Sequence, residues 1–185
     1  MPTIFTHPAI PLAIGIGLGQ SAIPKRLLVL GVVTSVVPDL DVLAFKFGVP
    51  YASILGHRGL THSILFALTL AALGLFAYRV FHTSRFRTFA FLFVVAVSHA
   101  ILDAFTNGGL GVALLWPFSS ERFFAPWQVI QVSPIGTHFF STRGVKVVLS
   151  ELLWVWLPCV MLCVGLFFTR RTLTHHSSGT PNGVP

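Results

Sequence analysis

The amino-acid sequence predicts an all-α, polytopic integral membrane protein with about five transmembrane helices. Hydrophobic residues make up 54% of the 185 residues, charged residues make up only 9%, and the mean hydropathy is +0.83. Soluble domains contain about 25% charged residues, so this composition is typical of a chain that lies in a bilayer. In addition, apolar runs recur whose length is close to the roughly 20 residues that a helix needs to cross the hydrocarbon layer.

Four apolar runs are long enough, or nearly long enough, for transmembrane helices, and a fifth run is shorter. We predict the four longer helices over residues 27–45, 63–81, 89–105 and 147–168. Ahead of them, residues 8–23 are apolar and rich in glycine, so this first helix either crosses the membrane or re-enters it. Its small residues predict close packing against a neighbouring helix.

The last two predicted helices are joined by a long connection, residues 106–144, that contains no clear spanning run. Its tryptophan and phenylalanine side chains suit the headgroup interface, and connections of this length are usually functional. The C-terminal residues are polar, so we expect a disordered tail over 172–185. Residues 1–171 then form a single integral-membrane domain.

Basic residues lie in short clusters between the apolar runs, at positions 25–26, 79–87 and 170–171. Because successive helices cross the membrane in alternating directions, these three clusters fall on one side, and the positive-inside rule makes that side cytoplasmic. The net charge of +7 therefore reflects orientation. We expect no nucleic-acid partner, because no basic face with interleaved aromatic residues is present.

The acidic residues are few, and most of them lie beside histidines. The chain contains only five, of which Asp39 and Asp41 end the second predicted helix and Asp103 ends the fourth. An ionised carboxylate near lipid is costly unless a partner or a metal offsets the loss of water. These three aspartates are therefore candidates for a functional site.

The histidines nearest to these aspartates fall on the same face of the membrane, opposite to the basic clusters. His7 precedes the first helix, His57 and His62 open the third, and His99 lies in the fourth, one helical turn before Asp103. Taken singly, each pair is also explained as a buried hydrogen-bonded couple or as a polar turn at the interface. Their common location favours a metal site, which we place on the external face.

The two neighbouring aspartates differ in how well they suit a metal site. On an unbroken α-helix, side chains two residues apart point about 200° apart, so Asp39 and Asp41 reach one site only if Pro38 marks a break. Asp41 is also explained as a helix cap or as an ion-pair partner of Arg58, which leaves Asp39 as the better ligand. Arg58 itself orients a carboxylate or binds a substrate phosphate in a bidentate manner.

The sequence leaves open the roles of two further residues on this side of the membrane. Glu151, near the start of the last helix, is a further ligand or a general base, or it pairs with Lys146 or Arg143. His138 lies in the long connection and has no partner that the sequence identifies.

In the order of these motifs, the chain resembles the family of predicted inner-membrane, metal-dependent hydrolases that includes YdjM. The resemblance covers about residues 1 to 125. The matching segments are Thr6-His7-Pro8, Pro38-Asp39-Leu40-Asp41, His57-Arg58-Gly59-Leu60-Thr61-His62-Ser63, Ser98-His99-Ala100-Ile101-Leu102-Asp103-Ala104, Thr106-Asn107-Gly108-Gly109 and Leu115-Trp116-Pro117-Phe118.

This resemblance implies an activity and a set of site residues. The activity is hydrolysis of a phosphoester or another lipid-linked bond by a metal-activated water. Asp41, His57 and Arg58 lie in or beside the coordination sphere and take part in catalysis. The implied metal ligands are His7, Asp39, His62, His99 and Asp103.

The cofactor that we expect is a divalent metal, and a mixed histidine and aspartate set favours zinc, followed by manganese or iron. A site with two metals is possible with this many ligands. The expected partners are membrane lipids, with an anionic lipid-type substrate whose headgroup is held by Arg58, Arg122 and Arg143 and whose acyl chains border the aromatic connection.

Two other classes of function also use such residues. An ion transporter places acids and histidines within the membrane, although transport sites favour the midplane between repeated halves, and the sequence has no second half. A structural or regulatory membrane protein uses a metal as a staple between its helices.

The predicted orientation is tested by cysteine accessibility, after the natural Cys159 and Cys163 are replaced by alanine. We expect Ser119→Cys to react with an impermeant thiol reagent added outside intact cells, and Ser84→Cys to react only after the membrane is opened. The reverse labelling pattern would place the histidine and aspartate cluster on the cytoplasmic face.

Overall fold

The computed structural model describes the backbone of residues 1–134 and 139–177 and the side chains of these residues up to position 173. Within this part of the chain there are two isolated β-bridges and no β-strand. The α-helices are α1 (Ala9–Leu18), α2 (Lys25–Thr34), α3 (Ile64–Gly74), α4 (Arg85–Ala104), α5 (Thr142–Glu151) and α6 (Leu157–Ser177). Other helical elements are the 3₁₀ helices Val37–Phe47, Leu60–His62 and Leu75–Ala77, and a π-helical turn, Leu152–Trp156, that joins α5 to α6.

Three helical stretches are long and apolar enough to cross a membrane. They are Lys25–Phe47, Arg85–Ala104 and Thr142–Leu173, and the shorter apolar helices are Ala9–Leu18 and Ile64–Ala77. These five segments correspond in order to the five helices predicted from the sequence. The predicted class, a helical polytopic membrane protein, is therefore confirmed.

The ends of two helices are fixed by serine side chains. Ser63 accepts a hydrogen bond from the backbone N–H of Phe66 at 3.1 Å at the start of α3, and Ser84 accepts one from Arg87 at 3.2 Å at the start of α4. Such caps satisfy backbone donors that have no partner inside the helix. The cap at Ser63 also fixes where the chain turns from the histidine-containing loop into α3.

The helices pack around two apolar clusters. One lies between α2, α3 and α4 and is built around Leu27, Ala71, Leu92 and Val95, each at most 1% exposed. The other lies where α1 meets the C-terminal helices. Many large apolar side chains elsewhere on the helices are exposed, as expected for surfaces that face lipid tails.

The N-terminal helix packs closely against the last helix through its glycines. A Cβ atom at Gly17 would lie 2.7 Å from Leu166 Cβ and 2.9 Å from the backbone oxygen of Cys163. The neighbouring Gly15 makes a similar approach to Leu28 of α2. The close packing predicted for this glycine-rich segment is therefore confirmed.

The C-terminal part differs from the prediction in its boundaries. The last spanning stretch begins at Thr142, five residues before the predicted start at 147, because polar residues on the exposed face of α5 lower its apolar character. At the other end, α6 continues to Ser177, past residue 172 where the tail was expected to begin. Residues 178–185 and His138 lie outside the described residues.

The close contact between α1 and α6 is tested by a pair of matched substitutions. Gly17→Ala creates the contacts described above, whereas a Cβ atom at Gly165 of α6 meets nothing within 4 Å. Both changes gain helix propensity, so their difference isolates the packing. We expect Gly17→Ala to be less stable than Gly165→Ala by about 1–3 kcal/mol in equilibrium unfolding in detergent. Equal stabilities would contradict this packing.

Candidate metal centre

The structure brings the predicted site residues into one buried cluster. Its segments are the turn before α1, the 3₁₀ helix Val37–Phe47, the loop ending in Leu60–His62, and the last turns of α4. The five side chains predicted as metal ligands are at most 3% exposed. They are His7, Asp39, His62, His99 and Asp103.

An interruption of the second spanning stretch lets both of its aspartates reach the cluster. The helix α2 ends at Thr34 and the chain continues as the 3₁₀ helix Val37–Phe47, so the break begins before Pro38. Asp39 and Asp41 then lie on opposite sides of the His62 ring. Asp39 Oδ1 is 3.9 Å from His62 Nε2, and Asp41 Oδ2 is 3.3 Å from His62 Nδ1.

Two of the histidines have their ring orientation fixed by a partner at Nδ1. His99 Nδ1 lies 2.7 Å from the backbone oxygen of Ser35, which only accepts hydrogen bonds. His62 Nδ1 lies 3.0 Å from Thr61 Oγ1, and this hydroxyl donates its own proton to Asp41. These partners indicate that Nδ1 carries the proton in both rings. In the neutral rings, both Nε2 atoms therefore carry lone pairs.

The two Nε2 atoms point at each other across a distance of only 3.0 Å. Two lone pairs at that distance repel unless a proton or a cation lies between them. Around one tetrahedral zinc, with bonds of about 2.0–2.2 Å, neighbouring ligand atoms lie about 3.3 Å apart. The geometry around His62 and His99 thus fits two ligands of one cation.

The carboxylates beside these rings have no hydrogen-bond donor among the described residues, which is unusual for buried oxygens. This holds for both oxygens of Asp39 and both oxygens of Asp103, and also for both ring nitrogens of His7. His62 Nε2 lies 3.1 Å from Asp103 Oδ2, and His99 Nε2 lies 3.5 Å from Asp39 Oδ1. His7 Nε2 lies 3.5 Å from Asp39 Oδ2. A cation would give a partner to the Nε2 atom of His7 and to oxygens of both carboxylates.

The pKa values of two histidines of the cluster, His7 and His62, are shifted in opposite directions. Burial lowers the pKa of His7 to about 3, so this ring is neutral and able to bind a metal. Burial also lowers the pKa of His62, but the nearby negative charges of Asp103 and Asp41, at 3.1 and 3.3 Å, outweigh it and raise the pKa to about 9. A cation therefore has to displace a proton from His62, and its affinity is expected to fall as the pH decreases below that value.

Asp41 lies beside the ligands but has no free oxygen. Its Oδ1 is 2.6 Å from His57 Nδ1, and its Oδ2 accepts hydrogen bonds from the Arg58 backbone N–H at 3.1 Å and from Thr61 Oγ1 at 2.6 Å. The alternative explanation of Asp41 as an ion-pair partner of the Arg58 side chain does not apply, because Arg58 contacts Asp41 through its backbone N–H and its side chain pairs with Asp103. Asp41, His57 and His62 form a second group with the spacing of metal ligands, yet the donors around Asp41 suit a residue that orients His62.

Comparison with known proteins identifies the family of the chain. A model of the YdjM inner membrane protein family matches residues 1–175. The chain belongs to the YdjM inner membrane protein family. It is 50% identical over 173 residues to the inner membrane protein YbcI of Escherichia coli (strain K12), which covers 92% of this chain and 100% of that relative. No solved structure matches the chain. It is thus an integral protein of the inner membrane.

In this YdjM family member, Arg58 is enclosed within the cluster. Its side chain is 0% exposed, its Nε lies 3.1 Å from Asp103 Oδ2, and its two terminal nitrogens donate to Gly108 O and Thr106 Oγ1. The expectation that Arg58 binds a substrate phosphate is therefore not met, whereas its alternative role of orienting a carboxylate fits. Gly109 allows this arrangement, because a Cβ atom there would lie 2.9 Å from an Arg58 nitrogen.

Arg122 and Arg143, the other arginines predicted to hold a headgroup, have different environments. The Arg122 guanidinium donates to the backbone oxygens of His57 and Ser53, both at 3.0 Å, and so braces the loop that presents His57 to Asp41. That Arg122 also holds a headgroup stays a prediction. Arg143 is exposed at the start of α5.

Glu151 has partners that the sequence did not identify. Its carboxylate is 3% exposed and accepts hydrogen bonds from Thr3 and Thr6 near the N-terminus. Thr6 lies in the recognised Thr6-His7-Pro8 segment, but sequence reasoning missed Thr3 and the Ser35 carbonyl that orients His99. A backbone oxygen gives no signal in a sequence, whereas Thr61 lies within the recognised motif.

The different roles of the two aspartates are tested by their asparagine variants. We expect Asp39→Asn to abolish high-affinity zinc binding, because its carboxylate faces Nε2 atoms. We expect Asp41→Asn to weaken it by about 10- to 100-fold, the usual effect of losing a hydrogen-bond partner of a ligand. Competition titration with a zinc chelator measures both, and unfolding curves show that both variants fold. A larger loss for Asp41→Asn would contradict this assignment.

Proposed function

We propose that this chain is a metal-dependent hydrolase of the inner membrane that cleaves a phosphoester or another lipid-linked bond. The observation that carries the proposal is the 3.0 Å approach of the Nε2 atoms of His62 and His99, beside the carboxylates of Asp39 and Asp103, which accept no hydrogen bond from the described residues. A zinc ion suits this donor set best, with manganese or iron as alternatives.

The residues that would hold the cation supply both nitrogen and oxygen ligands. When bound, such a cation provides Lewis-acid activation of a water and polarisation of the scissile group. The side chains that would hold it are His7, Asp39, His62, His99 and Asp103. Asp41 and the Ser35 carbonyl keep two of the imidazoles in the tautomer that offers Nε2.

The charge of the cluster supports a divalent ion. Once a cation has displaced the proton of His62, the three buried aspartates and buried Arg58 give the side chains a net charge of −2. Uncompensated buried charge is strongly destabilising, and one divalent cation neutralises it. Arg58, through its ion pair with Asp103 at 3.1 Å, holds that carboxylate in place.

A lipid is the substrate class that the surroundings of the cluster favour. An apolar groove of about 360 Å³ lies against the N-terminal segment, and Ile4, Phe5, Val42, Phe139 and Phe140 contribute to its walls. Phe5 and Val42 are close in sequence to the cluster residues His7 and Asp41, so an acyl chain in this groove would lie near the cation. We propose that the exposed Arg143 contacts an anionic headgroup.

One observation favours a second candidate function, that of a metal staple. The five ligands are at most 3% exposed, and structural zinc sites are closed whereas catalytic sites keep an open position. In that case the cation would join the N-terminal turn, the 3₁₀ helices and α4 without turnover. An ion transporter is favoured less, because the cluster lies at the ends of the spanning stretches.

Metal analysis and activity together separate these functions. We expect purified protein to contain a stoichiometric transition metal and to hydrolyse fluorogenic lipid phosphoesters or lipid esters in mixed micelles. His99→Ala should lower turnover by more than about 100-fold, since even the loss of a ligand's partner costs up to that much. His82→Ala, at an exposed position before α4, is the matched control and should keep full activity.

Other results of these experiments would support a different function. A bound metal without turnover of any lipid ester would indicate the staple. Ion flux in proteoliposomes that is lost in Asp103→Asn would indicate transport. Protein that neither contains nor binds a transition metal would refute the hydrolase proposal.

A further inference from the structure

We propose that Glu151 is the positioning residue for His7: it fixes the N-terminal turn that presents this histidine to the cation. This inference rests on the metal centre of the proposed function. It concerns a residue at the far end of the sequence from His7, and it assigns a role to a buried carboxylate that is not among the predicted ligands.

His7 differs from the other two histidine ligands in how its ring is held. His62 and His99 each have a partner at Nδ1 that sets the ring orientation. Neither ring nitrogen of His7 has a hydrogen-bond partner within the described part of the chain. Its ring stacks on that of His99, with centroids 3.8 Å apart and an interplanar angle of 18°. The backbone before α1 therefore has to set where His7 points.

That backbone is held by Glu151. The Glu151 carboxylate accepts hydrogen bonds from the backbone N–H of Thr3, from Thr3 Oγ1 at 2.7 Å and from Thr6 Oγ1 at 2.7 Å. A backbone hydrogen bond from Thr6 to Thr3 closes the turn at 2.9 Å. Trp156 Nε1 adds a contact to Thr6 Oγ1 at 3.3 Å. Both hydroxyls of the turn are thus held by Glu151, and Thr6 directly precedes His7.

The position of Glu151 in its helix suits this function. It is the last residue of α5, and the π-helical turn Leu152–Trp156 follows it directly. Such turns are rare and are found frequently at functional sites. Because three donors already surround the carboxylate, Glu151 is not available as a ligand itself, and it acts on the cation only through His7.

Cobalt(II) titration of the full chain in detergent tests this role, because its visible absorption reports on the ligands and its saturation gives the affinity. We expect Glu151→Gln, which keeps the shape but presents an amide to the threonine donors, to bind cobalt about 10- to 100-fold more weakly. Its spectrum should change towards that of His7→Ala. The double variant His7→Ala with Glu151→Gln should bind no more weakly than His7→Ala alone.

A matched control and a second pair of variants keep the test decisive. Ser150→Ala changes the adjacent residue, whose hydroxyl accepts a hydrogen bond from the Gln131 backbone N–H. This variant should bind cobalt like the wild type. If Glu151→Gln does not fold, Thr3→Val and Thr6→Val each remove one hydroxyl donor and should each weaken cobalt binding.

The outcomes distinguish this inference from the proposed function. Two outcomes would overturn the role of Glu151 alone, provided that the wild type binds cobalt. In one, Glu151→Gln binds cobalt as tightly as the wild type. In the other, the affinity losses of the two single variants add up in the double variant. Wild-type protein that binds no cobalt would overturn the metal centre, and the role of Glu151 with it.

Discussion

The arrangement of the cluster depends on the convergence of His62 Nε2 and His99 Nε2 at 3.0 Å. Each ring is turned inwards by a partner on its other nitrogen, so the two lone pairs meet where the carboxylates of Asp39 and Asp103 also point. Without a positive charge between them these groups repel one another. With a divalent cation they become its ligands, and the cost of burying them is offset. Three elements hold these atoms together: the interrupted second span, the loop that carries His62, and the last turns of α4.

The bilayer explains why such a cluster is recognisable in the sequence. A chain with few acidic residues places three of them beside histidines at the ends of apolar runs, and helix alternation alone assigns them to one face. The spacing of His99 and Asp103, one helical turn apart, predicts that both reach the same site, and the structure brings them together. Composition likewise predicts the helical membrane fold, because apolar runs of spanning length leave few other solutions.

Other features depend on contacts that no local pattern encodes. Arg58 has a positive φ of 64°, and its guanidinium turns towards Asp103 where the motif suggested a substrate phosphate. The break after Thr34 precedes Pro38, and the backbone carbonyl of Ser35 at this break is the hydrogen-bond partner of His99. Glu151 meets Thr3 across 148 residues of sequence. Each of these follows from tertiary packing, which overrides what neighbouring residues favour.

X-ray absorption spectroscopy at the metal edge of zinc-loaded protein tests the central claim most directly. The geometry predicts a first shell of nitrogen and oxygen atoms at about 2.0–2.2 Å, with the outer-shell scattering of histidine rings reduced in His62→Ala and His99→Ala. A shell that contains sulfur from Cys159 or Cys163, or a spectrum of hydrated zinc that is unchanged in both variants, would contradict a cation held between these two histidines.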